Sequence, residues 1–274
     1  MPELPEVETI VRDLRPHLVG RAITQTQLLR ESVLRFPDPA TFQAGTQGRR
    51  VVSVRRRGKF ILVGLGDGEN LVVHLGMTGS LTLQSPAEPR LPHTHLLLDL
   101  DDGRQLRFRD ARRFGRLLLG DPSLLQELGA MPRLGPDPMS ARFAQSGVAE
   151  VLGRSARPVK AALLDQAVLA GCGNIYADEA CFLARIRPDR RANSLRPVEV
   201  RRLLAALPVV MREAIRRRGS SFSDYRDGFG AKGEAHESLF VYGRGGLPCV
   251  RCGSLLHQSR IGGRTTVYCT QCQR

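Results

Sequence analysis

The sequence predicts an α+β protein in which a run of strands is followed by a run of helices and a cysteine-rich hairpin. Three observations carry this. Between about residues 22 and 120, β-branched or leucine-rich stretches alternate with turn signals. From residue 141 the apolar spacing becomes helical. Four of the six cysteines then lie at Cys249, Cys252, Cys269 and Cys272, spaced C-x2-C-x16-C-x2-C.

The chain opens MPELPE. Residues 5–19 read as a helix, because Pro5 suits a first turn, Glu6 and Glu8 favour its positive end, and Gly20 can stop it. Val7, Ile10, Val11, Leu14 and Leu18 make its apolar stripe, while Pro16 argues against a regular last turn. An initiator methionine before the small residue proline is commonly removed, so Pro2 is expected to become a free secondary amine beside a helix N-terminus.

The strand candidates are VVSV, KFILVGL, NLVVHLG, SLTLQ, HLLLDL, QLRFRD and GRLLLG, with hairpin breaks at Asp67-Gly68 and Asp102-Gly103. With few helices between them, they fit an antiparallel sandwich or barrel. The proline-rich stretch MPRLGPDP reads as a linker. Helices are predicted over 141–152, 160–170, 175–185 and 198–218, the last ending in IRRRG. Residues 219–238, glycine-rich and polar, read as a long functional loop. The domain division is thus 1–130, a linker over 131–140, a helical domain with its loop over 141–238, and a cysteine finger over 239–274.

A net charge of +14, carried mainly by arginine, points to a polyanionic partner, with nucleic acid the commonest. No run of 18 apolar residues and no signal-peptide pattern is present, so neither a membrane span nor a membrane partner is expected, and the cytoplasm is the default location. Disulfides are the alternative for the four late cysteines, but they are rare in the cytoplasm. One Zn²⁺ in a closed, structural four-thiolate site is the stronger reading. Cys172 and Cys181 read as small buried fillers. Between the cysteine pairs, Arg260 and Arg264 flank a Gly-Gly turn, and by themselves are either a DNA-touching finger or solvated charges. The Gly171-Cys172-Gly173 turn places Asn174 as a candidate helix cap at a phosphate-attracting N-terminus. Lys160 alone would be judged solvated, and Met77 and Phe114 would be judged core.

Four separated stretches together resemble bacterial formamidopyrimidine-DNA glycosylase. They are MPELPEVE, RRGKFIL with HLGM and RRFG, GNIYADE, and the tail YGRGGLPCVRCG…GGRTTVYCTQCQ. The resemblance spans essentially the whole chain. It implies an antiparallel β-sandwich with flanking helices, a helix–two-turn–helix domain and a zinc-finger hairpin. The implied activity is excision of 8-oxoguanine and ring-opened purines followed by β,δ-elimination, in base excision repair. The implied partner is double-stranded DNA carrying such lesions or abasic sites, bound by a monomer associated with the bacterial nucleoid.

The resemblance also implies roles. Pro2 is the nucleophile, Glu3 the proton-transfer residue and Glu6 its support. Lys59 and Arg264 bind phosphate and assist elimination. Lys160, Asn174, His93 and Arg112 contact DNA, and Met77, Arg112 and Phe114 fill the gap left by the extruded base. Ala111, Cys172 and Arg185 depart from the family pattern, Arg185 standing where a small residue is common. The sister enzyme endonuclease VIII is the nearest alternative, but its family begins PEGPE where this chain has PELPE. A non-catalytic lesion-binding protein is the alternative of another class, and the intact Pro2, Glu3 and Lys59 argue against it.

Overall fold

The computed structural model describes residues 1–221 and 224–274, so Phe222 and Ser223 of the expected 219–238 loop lie outside the described residues. The chain forms two compact units: 1–132 with 217–236, and 133–216 with 237–274. The sequence groups 219–238 with the helices; in the structure most of that stretch packs with the first unit.

In the first unit, α1 (Leu4–Leu18) precedes β1 (Ile23–Leu28), β2 (Leu34–Phe36) and α2 (Pro39–Thr46). There follow β3 (Ser53–Arg57), β4 (Phe60–Gly64), β5 (Asn70–His74), β6 (Ser80–Gln84), β7 (Thr94–Leu100), β8 (Gln105–Arg109), β9 (Arg116–Gly120) and α3 (Pro122–Glu127). The strands make two sheets, β1-β7-β8-β6 and β2-β9-β5-β4-β3. All pairings are antiparallel except the short parallel pair of β2 with β9. Period-two alternation sends Ile61, Val63, Leu71, Val73, Leu117 and Leu119 of one sheet, and Leu96, Leu98, Leu106 and Phe108 of the other, into one core. The apolar stripe of α1 joins that core through Val7, Ile10, Val11, Leu14 and Leu18.

Helix α1 runs through Pro16, because the bond spanning it, Val19 N–H to Arg15 O at 3.1 Å, still closes the turn. The hairpin breaks hold: Asp67 and Gly68 have φ of 51° and 81°, and Gly103 has φ of 80°. The sequence missed β1 and β2, whose apolar alternation is weak, and α2 and α3. The latter start on Asp38 and Asp121, whose side chains each accept two backbone N–H groups, with proline next in sequence.

In the second unit, α4 (Val148–Arg154), α5 (Val159–Leu164), α6 (Asn174–Leu183) and α7 (Pro197–Arg216) precede the finger hairpin of β10 (His257–Ile261) and β11 (Arg264–Tyr268). Two expected helices are shorter. Residues 143–145 form only a 3-10 turn, and Gly147, at φ 73°, separates it from α4. Helix α5 stops at Leu164, because the Gln166 side chain bonds Gly171 N–H and the carbonyls of Leu164 and Cys172. Among the described residues no helix is long and apolar enough to cross a membrane.

Leu71 is fully buried at the centre of the first core. Leu71→Ala is expected to destabilise that unit by about 2–5 kcal/mol, read as a lower urea midpoint for its unfolding transition.

Candidate functional site

Pro2 is buried directly ahead of α1, and Glu3 is the residue before the first helical turn, 3 % exposed. Helix N-termini leave N–H groups without intrahelical partners. Glu6, 1 % exposed, resolves this locally and at long range. Its Oε2 accepts from Glu3 N–H at 2.9 Å, and its Oε1 accepts from Ser220 N–H at 2.9 Å. Tyr225 O–H donates to the Glu6 carbonyl at 3.3 Å. Gly219, at φ 84°, lets the chain pass, since a Cβ there would lie 2.8 Å from the Tyr225 ring and 3.1 Å from Glu6 Cγ. Further along the helix, Asp13 accepts from Arg218 at 2.7 Å and from Gly228 N–H at 3.1 Å. Helix α1 is therefore fastened to the 217–236 segment by buried acids.

Lys59 follows Gly58 in the β3–β4 hairpin and is 6 % exposed. Among the described residues its Nζ has no ion-pair or hydrogen-bond partner. Burying an ammonium without an anion is costly. His74 on β5 stacks near Phe60, its ring centroid 4.8 Å away. Burial, and then the charges of Lys59 and Arg116, pull the His74 imidazole down to about 4. His74 is therefore neutral, and its Nδ1 accepts from Gly76 N–H at 3.3 Å.

Met77, Arg112 and Phe114 come together on two loops that touch back to back. A Cβ on Gly76, at φ 61°, would lie 2.5 Å from Phe114 C and from Gly115 N. Asp110, wholly buried, organises the second loop: it accepts from the Thr78 hydroxyl, from Arg112 N–H at 3.3 Å and from Gly115 N–H at 2.7 Å. Its carbonyl bonds His95 Nε2 at 2.8 Å, while its N–H donates to the carbonyl of exposed His93 at 3.0 Å. The result is an outward wedge. Met77 is 38 % exposed, Phe114 is 50 % exposed, and the Arg112 guanidinium sits 4.8 Å over the Phe114 ring. These residues are not core, contrary to what apolarity alone suggests. Asp110, Thr78, His74 and His95 escaped sequence reasoning, because a lone polar residue at a strand end carries no signal of what it will bond.

In the second unit, Asn174 is not the cap of α6. Gly173 occupies that position, and the Asn174 amide donates to Thr265 O at 3.0 Å. Lys160 is not solvated: it is fully buried, pairs with Asp178 Oδ1 at 2.8 Å, and donates to Thr265 O at 2.9 Å and Thr266 Oγ1 at 2.8 Å. Burial raises the Asp178 carboxyl to about 7 even against the Lys160 charge. Asp178 also accepts from Val267 N–H at 3.1 Å. The next residue, Glu179, accepts from the N–H groups of Phe240, Val241 and Tyr242 at 2.8–2.9 Å. Helix α6 thus carries the finger on two adjacent buried acids, and exposed Arg264 emerges one residue before the carbonyl that Asn174 and Lys160 share.

The sulfur atoms of Cys249, Cys252, Cys269 and Cys272 lie within 4.8 Å of one another, with Cys249–Cys272 at 4.0 Å and Cys252–Cys269 at 3.5 Å. Thiolates about 2.3 Å from a tetrahedral Zn²⁺ lie roughly 3.8 Å apart, so the donor set fits that ion. The backbone N–H of Ser254, then its hydroxyl, draws the Cys252 thiol down to about 6.

Comparisons with known proteins agree along the chain. The family model described as the formamidopyrimidine-DNA glycosylase N-terminal domain matches residues 1–117, and that of the same family's H2TH domain matches 134–226. The zinc finger found in FPG and IleRS matches 246–274. A formamidopyrimidine-DNA glycosylase of Symbiobacterium thermophilum is 45% identical over 273 residues, covering 100% of this chain and 89% of the relative. One of Herpetosiphon aurantiacus is 44% identical over 274 residues, covering all of both. The crystal structure of the MutM (Fpg) protein of Thermus thermophilus superposes with a TM-score of 0.88 at 45% identity, covering 99% of this chain and 98% of that one. Wild-type Lactococcus lactis Fpg, in complex with DNA containing N7-benzyl-Fapy-dG, has a TM-score of 0.91 at 32% identity, covering all of both chains. The four cysteines, all inside the matched finger, hold one structural Zn²⁺.

Two outcomes follow from this geometry. Cys249→Ser should lower zinc content from one per chain to near zero and unfold the finger, read by metal analysis and loss of hydrogen-exchange protection in β10 and β11. For His74, the folded pKa lies below the unfolded one, so the unfolded chain binds more protons between about pH 6.5 and 4. Stability of the first unit should fall through that window as pH drops, and His74→Phe should flatten that part of a urea-unfolding profile.

Proposed function

The chain belongs to the formamidopyrimidine-DNA glycosylase family, and from that premise we propose that it excises oxidised purines from duplex DNA and then cuts the strand at the resulting abasic site. The observation that carries the reading is Pro2 at the buried head of α1, with Glu3 and Glu6 fixed around it.

Removal of Met1 turns Pro2 nitrogen from an amide into a secondary amine. The adjacent helix N-terminus disfavours its protonated form, so the lone pair is available near neutral pH. It attacks C1′ of the damaged nucleoside, the glycosidic bond breaks, and the base leaves with a proton. The C1′–O4′ bond then breaks, O4′ takes a proton as the sugar ring opens, and the product is an iminium, an electron sink like a lysine Schiff base. It acidifies the C2′–H bond. Loss of that proton expels the 3′ phosphate, and a second elimination expels the 5′ phosphate. Glu3 moves the protons, and Glu6 holds the backbone that carries Glu3.

Lys59 supplies its unpaired ammonium to a phosphate at the lesion and assists elimination. The Met77, Arg112 and Phe114 wedge occupies the space of the extruded base, where unstacking costs a few kcal/mol. His93, exposed beside that loop, adds a DNA contact. Asn174 and Arg264 grip phosphates, and Lys160 acts through the shared Thr265 carbonyl to set their spacing. The Zn²⁺, with no open coordination position, supplies rigidity to the finger and no chemistry. The catalytic division is residues 1–130, with 141–238 and 239–274 binding DNA. The protein works as a monomer on DNA in the bacterial cytoplasm, associated with the nucleoid when bound, and needs no membrane.

Borohydride trapping on duplex containing 8-oxoguanine opposite cytosine tests this. Mature protein should give a covalent adduct that peptide mapping places on Pro2. Protein retaining Met1 should bind the same duplex yet trap none. An adduct on Lys59 or Lys160 would overturn the role of Pro2, and better trapping on oxidised pyrimidines would move the specificity to that of the sister enzyme.

A further inference from the structure

The second unit contains a cavity of about 380 Å³ that none of the roles above uses. Five arginines line it, Arg185, Arg196, Arg202, Arg251 and Arg274, with a single acidic side chain, Glu199. Cys272, a zinc ligand, forms part of its wall. It therefore sits at the knuckle end of the finger. Arg264 lies at the other end of β11, about 13 Å from Tyr268 at the usual rise per strand residue.

Glu199 is already neutralised. Arg190 reaches it at 2.9 and 3.3 Å, and Arg196 at 3.3 Å. Among the described residues the guanidiniums of Arg185, Arg202, Arg251 and Arg274 have no ion-pair partner. Arg251 stacks 4.4 Å over the Phe182 ring and its Nη1 donates to the Phe182 carbonyl at 3.4 Å. Arg185 holds φ of 59°, a left-handed conformation that glycine or asparagine adopts at less cost. A four-thiolate zinc centre carries a formal double negative charge, which offsets part of this positive cluster. The guanidiniums without an ion-pair partner leave the cluster positive.

We propose that this cavity is a second anion site, built for a compact dianionic phosphoryl group: a terminal phosphomonoester or a pyrophosphate, not the singly charged diester of an internal backbone. Arginine forks match phosphate oxygens bidentately. A concavity of about 380 Å³ has room for a single phosphoryl or pyrophosphoryl group. The shared chemistry is the terminal phosphoryl group, whether it comes from a free nucleotide or from a phosphorylated strand end.

The test uses zinc-loaded full-length protein and inorganic pyrophosphate, titrated calorimetrically at about 0.15 M salt, where weak surface attraction is screened. The wild type should bind one pyrophosphate per chain. Arg185→Gly with Arg202→Ala should weaken binding about tenfold or more. Both side chains are exposed, and glycine suits the backbone at 185, so zinc content, unfolding midpoint and 8-oxoguanine duplex binding should stay as in the wild type. A charge-matched control, Arg142→Ala with Arg154→Ala, should leave pyrophosphate binding within twofold. Competition assigns the source: displacement by a 5′-phosphorylated oligothymidylate supports a strand end, and displacement by a nucleoside diphosphate alone supports a nucleotide. Equal weakening by the control pair, equal competition by the 5′-hydroxyl oligothymidylate, or stronger competition by an acidic peptide would overturn the proposal. None of these outcomes depends on the Pro2 chemistry.

Discussion

The head of the first unit, where the proposed nucleophile sits, depends on one buried carboxylate. Glu6 takes a proton donor from its own helix start and another from residue 220. Backbone N–H donors stabilise a carboxylate through charge-assisted hydrogen bonds. The arrangement satisfies donors that a helix N-terminus would otherwise leave open, and it ties a terminal segment to a loop more than two hundred residues away in sequence. Chain termini are ordinarily frayed. Here the end must be held still, because its nitrogen is the proposed nucleophile and misplacement of a reacting atom is costly.

The second unit solves a comparable problem with the same chemistry. The finger has a small core, Phe182, Val241, Leu256 and Val267 around the cysteines, and would position Arg264 loosely by itself. Asp178 and Glu179 pin it to α6 through four backbone N–H groups. Lys160 compensates Asp178 and extends the network to Thr265 and Thr266. Burying an ion pair adds little net stability, but breaking one leaves a stranded charge. The pair therefore enforces geometry: it fixes which residue of β11 lies beside Asn174.

The basic charge of the chain is not one uniform coat. Some arginines are structural, as Arg218 is between Asp13 and Asp227. Some point outward, as Arg112 and Arg264 do. Others line the knuckle cavity, several with no ion-pair partner among the described residues. Formal charge predicts a polyanionic partner but says nothing of this partition, which burial and pairing decide.

The sequence by itself determined the order of strands, helices and finger, because alternation, helical spacing and cysteine spacing are local signals. It also determined the cysteine ligands and, through resemblance, the family. It misjudged what local signals do not encode. Asn174 looks like a cap, but the glycine before it takes that position and its amide turns to the finger. Lys160 looks solvated, yet the Asp178 carboxylate, on the next helix, admits it to the interior. Met77 and Phe114 look like core, but a tight contact at Gly76 and the bonds of Asp110 turn them outward. Only the tertiary structure could place the 217–236 segment on α1, because hydrogen bonds to Glu6 and Asp13 across such separations leave no periodicity in either segment. Local pattern sets which elements form; desolvation and long-range pairing decide which polar residues are buried, and so which remain for function.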